Sequence, residues 1–319
     1  MKLYQQLADD LTVLIRQGAL KPGDRVPSVR ETSRERGMSP ATVIHAYELL
    51  EGQGLIETRP RSGYCLKAIE IPTHPTHGID LAYLARILGK HPVRACWFMT
   101  SFQNPLGALV PDEARKELVQ LLELHDVPLI EDDVYAELYF GSRRPRSTKA
   151  FDQKGLVLNC GSFSKSLAPG YRIGWVAAGR FARIVGRRKV MSSLATNIPA
   201  QNAIALYLRQ GGYDRHLGVL RRTFAAQQKS ALQALRAHLP PGFTVTQPQG
   251  GYFLWLELPD HVDAIDVHRK ALEQGFSIAP GPIFSARREF AHCLRLNYGH
   301  EWTAASERAI KALGAIVRS

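Results

Sequence analysis

The chain has 319 residues, of which 45% are hydrophobic and 22% charged, and its formal net charge is +12. These proportions are ordinary for a globular protein of two or three domains and exclude a disordered or fibrous chain, while the positive charge suggests a polyanionic partner. The first residues lack the long apolar core of a signal peptide, and no apolar run has the length of a membrane span, so we expect a cytoplasmic protein without a membrane segment. The four cysteines lie far apart with no histidine pattern beside them, which predicts reduced thiols and no metal site.

The first 67 residues have the pattern of three helices followed by a hairpin. Leucines at helical spacing predict a first helix over residues 2–17. Ser28 and Ser39 are typical N-terminal caps, and they predict a second helix that ends near Arg36 and a third helix that begins with Pro40. Two short strand-like stretches then flank a basic turn: 55–58 and 63–66. Three helices and a basic hairpin predict a winged helix-turn-helix, whose third helix enters the major groove of DNA.

Several motifs in this segment resemble the GntR family of transcriptional regulators over all of residues 1–67. They are Pro22-Gly23-Asp24-Arg25-Val26-Pro27-Ser28-Val29-Arg30, Ser39-x-x-Thr42-Val43, Ala46-Tyr47-x-Leu49 and Gly52-x-Gly54-Leu55-Ile56. The resemblance implies a DNA-facing set that consists of Arg30, Ser39, Ala41, Thr42, His45, Arg59, Arg61 and Gly63. Pro40 stands where many family members have an arginine, so one base or phosphate contact is missing. A helical module for protein interaction is the alternative interpretation.

The chain beyond a linker at residues 68–78 alternates helix and strand patterns. Helices are predicted where apolar residues recur at helical spacing: 79–89, 111–125 and 212–239. Strands are predicted at short apolar runs: 95–100, the run from Leu129, 155–160, 173–178, 243–246, 250–258 and 294–298. The runs at 155–160 and 173–178 are of the buried type. We expect an α/β large domain at 79–211 and a smaller α+β domain at 212–319.

A loop between two of the apolar runs carries a lysine, a serine and an arginine that suit one cofactor. Lys165 can condense with an aldehyde, Ser162 can hold a phosphate oxygen, and Arg172 can pair bidentately with the same phosphate. These are the needs of pyridoxal phosphate, and the ends of strands are where α/β sheets bind ligands. A solvated surface loop is the alternative interpretation of the loop by itself.

Two further loops supply groups for the ring of the same cofactor. Asp132 and Tyr135 follow the run that begins at Leu129, and a carboxylate keeps a pyridine nitrogen protonated while a phenol can hydrogen-bond the ring's 3-oxygen. Asn104 follows the run at 95–100 and is a second donor toward that oxygen.

The order of Asn-Pro, Asp-x-x-Tyr and Ser-x-x-Lys followed by Arg resembles the fold-type-I, aspartate-aminotransferase-like enzymes over roughly residues 78–319. The resemblance implies that Lys165 forms the covalent link to pyridoxal phosphate and that Arg295 grips a substrate α-carboxylate. It also implies a set of cofactor contacts: Asn104, Asp132, Tyr135, Ser162, Lys165 and Arg172. Gly250–Trp255 resembles the family's small-domain motif beside the substrate pocket, although a packed aromatic strand explains it equally well.

The two halves together resemble the MocR-type regulators, in which a GntR-like reader is fused to an aminotransferase-like domain. Members of that family carry about a hundred or more further residues between the linker and the helix at Ile79. That block supplies the first strands of the large domain, a phosphate-binding turn, an aromatic side chain that stacks on the cofactor ring, and much of the dimer contact. We therefore expect an internal deletion and an incomplete large-domain sheet.

The resemblance implies a homodimeric transcriptional regulator that binds an operator in double-stranded DNA and senses an amino acid or amine. A metabolic aminotransferase with an incidental N-terminal domain is the first alternative. A cofactor-free remnant that keeps only DNA binding, with exposed edge strands, is the second. Because the stacking aromatic and the helix-terminus donors are lost, we expect pyridoxal phosphate to bind at least roughly a hundredfold more weakly than in an intact relative.

The positive charge lies mainly outside the segment that resembles a DNA reader. Residues 1–75 contribute only +1 to the net charge. One concentration of cations has no acid between its members: Arg180, Arg183, Arg187, Arg188 and Lys189. A solvated helix face is the simpler interpretation, and an auxiliary surface for the DNA backbone is the other.

Overall fold

The computed structural model divides the chain into two compact units. The first extends to Glu70 and includes Arg86–Pro92, and the second comprises Ile71–Ala85 and the chain from Val93 onward. The structure describes residues 2–16, 19–20, 24–59, 63–66 and 69–318. It describes the backbone alone for Arg16, Thr58, Arg59 and Gly63–Leu66. Within these ranges no helix is long and apolar enough to cross a membrane.

The first unit is a bundle of three helices with a hairpin, as predicted. Its elements are α1 (Leu3–Arg16), α2 (Val29–Arg36), α3 (Pro40–Gly52), β1 (Ile56–Arg59) and β2 (Gly63–Leu66). The two strands pair antiparallel, with Ile56 opposite Leu66. Leu7 and Leu11 of α1 pack with Val43 and Leu50 of α3 in a common core. The predicted DNA contact Arg61 lies outside the described residues, as do Pro22 and Gly23 of the motif.

Local capping explains why α2 and α3 begin where the sequence predicts. The Ser28 side chain accepts a hydrogen bond from the backbone of Glu31, and the Glu31 carboxylate accepts one from the backbone of Ser28. Gly37 ends α2 in the left-handed conformation, with φ of 63°, which only glycine adopts without strain. Ser39 then caps α3 with Pro40 in its first turn. Each such cap stabilises a helix by about 1 kcal/mol.

The stretch predicted as a linker is structured in its second half. β3 (Thr73–His74) and β4 (Gly78–Ile79) form a small antiparallel hairpin, and α4 (Leu81–Lys90) follows it. The rings of His74 and His77 stack with centroids 3.8 Å apart, and the hydroxyl of Thr76 hydrogen-bonds both rings. The residues that looked like linker composition therefore form a hairpin, with His74 at the end of β3 and Pro75 and His77 in the turn.

The large-domain sheet has four strands, so the expectation of an incomplete sheet is confirmed. The elements are β5 (Cys96–Phe98), α5 (Asp112–Leu124), β6 (Leu129–Asp132), β7 (Val157–Ser162) and β8 (Gly174–Ala177). The strand order is β5-β6-β7-β8; the first three strands are parallel, and β8 runs antiparallel to β7. The carboxyl ends of β5, β6 and β7 therefore meet at one edge of the sheet, where the predicted cofactor residues follow.

The burial predicted for the run at 173–178 holds for its end residues, Ile173 and Ala178, and is wrong for β8 between them, where all four residues are exposed. β8 is the last strand of the sheet, and no described strand pairs with its outer side. One face of the sheet is also open: Trp97 is 70% exposed and Ile130 38%. Trp175 lies across Gly161, where even a methyl group would overlap the indole ring. An apolar run alone cannot reveal burial, since burial depends on what the rest of the chain places over it.

The C-terminal part of the second unit is built around a covered sheet. Its elements are α6 (Ala182–Ser193), α7 (Ile198–Arg209), α8 (Gly212–His238), β9 (Thr244–Val245), β10 (Phe253–Glu257), α9 (Ala264–Glu273), β11 (Ala279–Pro280), β12 (Cys293–Asn297) and α10 (Ala304–Arg318). The strand order is β11-β12-β10-β9, with antiparallel pairing throughout. Leu254 and Leu294 of the sheet pack in one core with Leu235 of α8, Val267 of α9 and Leu313 of α10.

Candidate functional site

The loop that carries Lys165 is fixed at the residues on either side of the lysine. Ser162 ends β7, and its hydroxyl accepts a hydrogen bond from the backbone of Ser164 at 3.1 Å. Ser166 is buried, and its hydroxyl lies 2.7 Å from the hydroxyl of Tyr213 on α8. His216 on the same helix donates from Nε2 to the Ser166 carbonyl oxygen at 3.1 Å. The Lys165 side chain is exposed, so a fixed backbone presents a free amine.

The residues that were predicted to bind the cofactor phosphate lie at the start and the end of this loop, which come close together. Arg172 reaches back to the loop, where its Nη1 donates to the hydroxyl of Ser164 at 3.4 Å. Its backbone is in the left-handed region, with φ of 54°, which is strained for a residue other than glycine and is often found at functional sites. Ser162, Ser164 and Arg172 thus form a cluster of two hydroxyls and a guanidinium, the chemistry that a phosphate group requires. Ser164 was not among the predicted contacts.

Asp132 lies at the carboxyl end of β6, beside Cys160 of β7. Burial raises the pKa of Asp132, while hydrogen bonds from the Val134 backbone and the Trp97 indole, and the charge of Lys165, oppose that rise. Its Oδ1 is buried and has no hydrogen-bond partner among the described residues. A buried acceptor without a donor is costly unless a ligand supplies one. The protonated nitrogen of a pyridine ring would supply that donor, so the carboxylate fits the cofactor.

Tyr135 and Asn104 carry the two donors predicted for an oxygen on that ring, and the phenol of Tyr135 hydrogen-bonds Tyr252. Burial raises the pKa of Tyr135, so its phenol remains protonated, and its ring meets that of Tyr252 edge-on at 5.4 Å. The Oδ1 of Asn104 accepts a hydrogen bond from Nη1 of Arg295 at 2.7 Å. Because this contact fixes the orientation of the amide, the Nδ2 group of Asn104 is left to donate elsewhere.

Arg295 on β12 is held in a pocket of aromatic rings. Its guanidinium lies 4.3 Å from the centroid of Phe253 and 4.9 Å from that of Phe284. Its Nε is buried and has no hydrogen-bond partner among the described residues. Arg295 also lines a cavity of about 380 Å³ with Tyr298 and Trp302. A guanidinium with an unused donor beside a cavity can bind a carboxylate.

A buried ion pair on the covered face of the sheet was missed by the sequence analysis. Arg115 of α5 and Glu131 of β6 are both fully buried, with Nη1 and Oε1 3.7 Å apart. Arg115 also donates to the carbonyl and hydroxyl groups of Thr100, and Glu131 accepts from the Thr100 hydroxyl at 2.8 Å. The pair therefore fixes the strand ends that carry Asn104 and Asp132. Glu131, an acid inside an apolar run, was the available signal that a buried partner exists.

The start of α3 carries four of the eight predicted DNA contacts: Ser39, Ala41, Thr42 and His45. Ala41 and His45 are exposed, as is Arg30 of α2. The hydroxyl of Ser39 lies 2.8 Å from that of Thr42, so these two side chains hold each other. Behind them, the hydroxyl of Tyr47 donates to the Pro27 carbonyl and contacts Thr32, which ties α3 to α2. Arg59 and Gly63 lie on the two hairpin strands, and the Arg59 side chain is outside the described part.

The remaining polar clusters offer no obvious metal site. Among the described residues, no group of three or more His, Cys, Asp or Glu could hold a metal ion. Cys96, Cys160 and Cys293 are free thiols, and burial raises the pKa of Cys96 to about 11.

Comparison with known families matches both parts of the chain. The profile described as aminotransferase class I and II covers residues 63–313, and that of bacterial regulatory proteins, gntR family, covers residues 3–65. The solved structure of LysN, the α-aminoadipate aminotransferase of Thermus thermophilus complexed with N-(5'-phosphopyridoxyl)-L-leucine, superposes with a TM-score of 0.74. It is 27% identical, and the match covers 99% of this chain and 88% of LysN.

Two similar proteins of Escherichia coli strain K12 carry the names of uncharacterised HTH-type transcriptional regulators. YdcR is 33% identical over an alignment of 465 positions that covers 100% of this chain and 99% of YdcR. YjiR is 37% identical over 259 residues, which cover 80% of this chain and 54% of YjiR. The chain thus spans about half the length of YjiR. The alignment with YdcR is longer than the 319-residue chain, so many positions of YdcR have no counterpart here.

Proposed function

Because the chain belongs to the aminotransferase class I and II family and begins with a domain of the gntR family of bacterial regulatory proteins, we propose that it is a transcriptional regulator. In this proposal residues 1–67 bind an operator in duplex DNA, and residues 79–319 bind pyridoxal phosphate and sense an amino compound. One observation carries it: a capped helix with exposed residues at its start is joined in one chain to Lys165, Asp132 and Arg295. We place its action in the cytoplasm, where it reaches chromosomal DNA.

The DNA-binding role rests on the exposed side chains of α2 and α3. Arg30 and His45 can donate to base edges or phosphates, and Ala41 can pack against a thymine methyl group. Ser39 and Thr42, which hold each other in the first turn, can turn their hydroxyls toward phosphate oxygens. Pro40 removes the donor that an arginine would add, so binding relies on fewer direct contacts.

Selective binding is tested by gel-shift titration of genomic fragments against a random duplex of equal length. Arg30→Gln should weaken binding to the selected fragment roughly ten- to a hundredfold, because a good arginine contact contributes about 1–3 kcal/mol. Arg34→Gln is the matched control, since Arg34 is also exposed on α2 but is not in the predicted set. Equal affinity for selected and random DNA at moderate salt would reject the regulator.

The cofactor role rests on groups that the protein leaves unsatisfied. When bound, pyridoxal phosphate supplies an aldehyde and an electron-withdrawing ring. Asp132 would hold the proton of the ring nitrogen, and Tyr135 and Asn104 would donate to the ring oxygen. Ser162 and Arg172 would bind the phosphate, and the exposed amine of Lys165 would reach the aldehyde.

An amino acid effector would connect the two sheets of the second unit. Its carboxylate would bind Arg295 and compete for the guanidinium that now donates to Asn104. Asn104 belongs to the large-domain loop and Arg295 to the C-terminal sheet, so the competition alters a contact between them. A ligand that binds one arrangement more tightly shifts the population toward it, which is the basis for sensing.

An aminotransferase is the second candidate, favoured by the unpartnered Nε of Arg295 and Oδ1 of Asp132. Absorbance spectra after addition of pyridoxal phosphate, and then of a panel of amino acids, separate the two functions. Rapid turnover with two substrates favours the enzyme, whereas a spectral change without turnover favours the sensor. Borohydride trapping with peptide mapping should label Lys165 and not the Lys165→Ala variant. Labelling spread over many lysines, unchanged in that variant, would indicate a cofactor-free remnant.

We also propose that the chain forms a homodimer. Apolar side chains are exposed from the end of α6 through α7: Leu194 is 80% exposed, Ile198 61% and Leu206 50%. A second copy packed against this stretch would remove these apolar side chains from water. Sedimentation at several protein concentrations tests the dimer, which should dissociate in Ile198→Asp and Leu206→Asp variants.

A further inference from the structure

A long segment of the second unit is basic and lacks acidic residues. Residues 153–213 contain nine Lys or Arg and no Asp or Glu, so they account for most of the net charge of +12. Residues 1–75, which include the DNA-reading segment, contribute only +1. The positive field of the protein is therefore centred on the aminotransferase-like unit.

Helix α6 presents the most concentrated part of this charge to solvent. It has no buried residue. Arg183, Arg187, Arg188 and Lys189 are all exposed, and in the part of the chain that the structure describes none of them pairs with a carboxylate. Arg180, just before the helix, differs from these four because its guanidinium forms an ion pair with the Asp126 carboxylate at 2.8 Å.

The four cations of α6 repel one another in the free protein. Arg183 and Arg187 are four residues apart and lie next to each other along the helix, and like charges at this spacing destabilise a helix. Arg188 and Lys189 extend the charge to the other sides of the helix. A polyanion would neutralise these charges and relieve the repulsion, whereas a neutral partner would cover the cations without neutralising them.

We propose that α6 binds the phosphate backbone of the same duplex DNA that α3 reads; this inference rests on the proposed DNA-binding function. Duplex DNA carries one charge per about 1.7 Å of axis, so several exposed cations can each meet a phosphate. A second copy packed through α6 would bring like charges together. A membrane surface requires an apolar helix face separate from the cations, but Ile184 and Met191 lie between Arg187 and Arg188 around the helix.

The proposal gives α6 a role in affinity without sequence preference. Backbone contacts position a protein on DNA and carry no direct sequence information. Their signature is salt dependence, because each neutralised phosphate releases bound counterions and steepens the fall of affinity with salt.

The test measures the affinity of the full-length protein for a random-sequence duplex several helical turns long, between about 50 and 200 mM salt. The variant replaces Arg183, Arg187, Arg188 and Lys189 with Gln. The control makes the same charge change at four exposed positions outside the segment: Arg222, Lys229, Arg236 and Lys311. We expect the slope of log affinity against log salt to be shallower by roughly 2 to 3 in the α6 variant, about 0.9 for each of the two or three cations that face the duplex. The control should keep the slope of the unmodified protein.

Equal slopes in the α6 variant and the control would overturn the proposal. So would an unchanged DNA slope in the α6 variant together with loss of the dimer in sedimentation, or with loss of binding to phosphatidylglycerol vesicles. Thermal melting followed by circular dichroism should be alike in both variants, because all the replaced side chains are exposed. Preference for a selected fragment over random DNA reports on α3 separately: its absence in the unmodified protein rejects the proposed regulator, whatever the slopes.

Discussion

The two four-stranded sheets of the second unit differ in what covers them. In the C-terminal sheet, β10 has four consecutive buried residues, Phe253 to Leu256. Helices α8, α9 and α10 share a core with three of them, and Leu106 and Ala108 pack with Trp255. In the large-domain sheet, every residue of β8 is exposed, and Ile130 of the interior strand β6 is 38% exposed. The C-terminal sheet is therefore covered by packed elements, whereas the large-domain sheet has one covered face and one face that is exposed to solvent.

This difference divides the candidate site into two kinds of residue. Arg295 comes from the covered sheet and is held by two aromatic rings. Asp132 and Lys165 come from the open sheet, where Lys165 is exposed and Trp97 is largely in water. The predicted carboxylate contact is therefore held by packed neighbours, whereas the predicted cofactor contacts lie on a sheet with one exposed face. The expected weakness of cofactor binding stays a prediction.

The largest effect on the free energy of unfolding should come from the covered face of the large-domain sheet. Arg115→Met leaves Glu131 buried without its charge partner, which should lower the free energy of unfolding by about 3–5 kcal/mol. Arg146→Met is the matched control, because Arg146 is exposed and lies 3.9 Å from Asp112. It should change stability by less than about 1 kcal/mol. Urea unfolding measures both, and equal effects would show that the buried pair does not hold this sheet.

Truncation of similar side chains on the two sheets tests the comparison directly. Leu254 is fully buried on an interior strand of the covered sheet, and Leu254→Ala should lower the free energy of unfolding by about 2–5 kcal/mol. Ile130 also lies on an interior strand, and Ile130→Ala should lower it by about 1 kcal/mol or less, since water already reaches the side chain. Urea unfolding at several protein concentrations checks both. A large loss for Ile130→Ala that grows with concentration would mean that a second copy covers the open face.

A smaller effect is expected at Asp132, where stability and cofactor binding should move in opposite directions. Burial raises the pKa of Asp132 in the folded protein above its unfolded value, so the ionised carboxylate is disfavoured by folding. Stability from this group is thus full at low pH and is lost as the pH rises through the folded pKa. Asp132→Asn should therefore raise the free energy of unfolding at neutral pH in the cofactor-free protein.

The same change should weaken pyridoxal phosphate binding roughly ten- to a hundredfold, because a hydrogen bond to a charged group contributes about 1.5–3 kcal/mol. Thermal melting against pH and absorbance titration measure the two effects. Asp126→Asn is the control, since Asp126 is exposed and belongs to no predicted site. A loss of stability at neutral pH in Asp132→Asn would contradict the assigned role of burial.

Much of the fold followed from local patterns. The serine caps and glycine turn fix the ends of α2 and α3, and the strands at Leu129 and at 155–160 were placed within a few residues of β6 and β7. Such signals are predictable because they depend on residues a few positions apart. The hairpin at Thr73 was missed, because its pairing brings together residues that show no strand pattern in so short a stretch.

The candidate site was predicted as residue types at strand ends but not as a network. The proposed contacts at Asn104, Asp132 and Lys165 remain predictions, and the structure adds the partners that sequence could not name. Arg295 meets Asn104 although 191 positions separate them, and Ser166 meets Tyr213 across 47. Contacts at such separations depend on how the sheets pack, which no local pattern encodes.

By itself, the sequence determined the two families of the chain, the elements of its first 67 residues, the strands that precede the candidate site, and the residue types that suit DNA and pyridoxal phosphate. Only the tertiary structure decided which apolar runs are buried. The run at 173–178 and the run at 250–258 look alike as sequence, yet one is an exposed edge strand and the other the centre of a core. The reason is that a side chain is buried by its neighbours in space. Three helices, α8, α9 and α10, share a core with the second run, whereas no described strand pairs with the outer edge of β8 and α7 packs only against Ile173 of the first run.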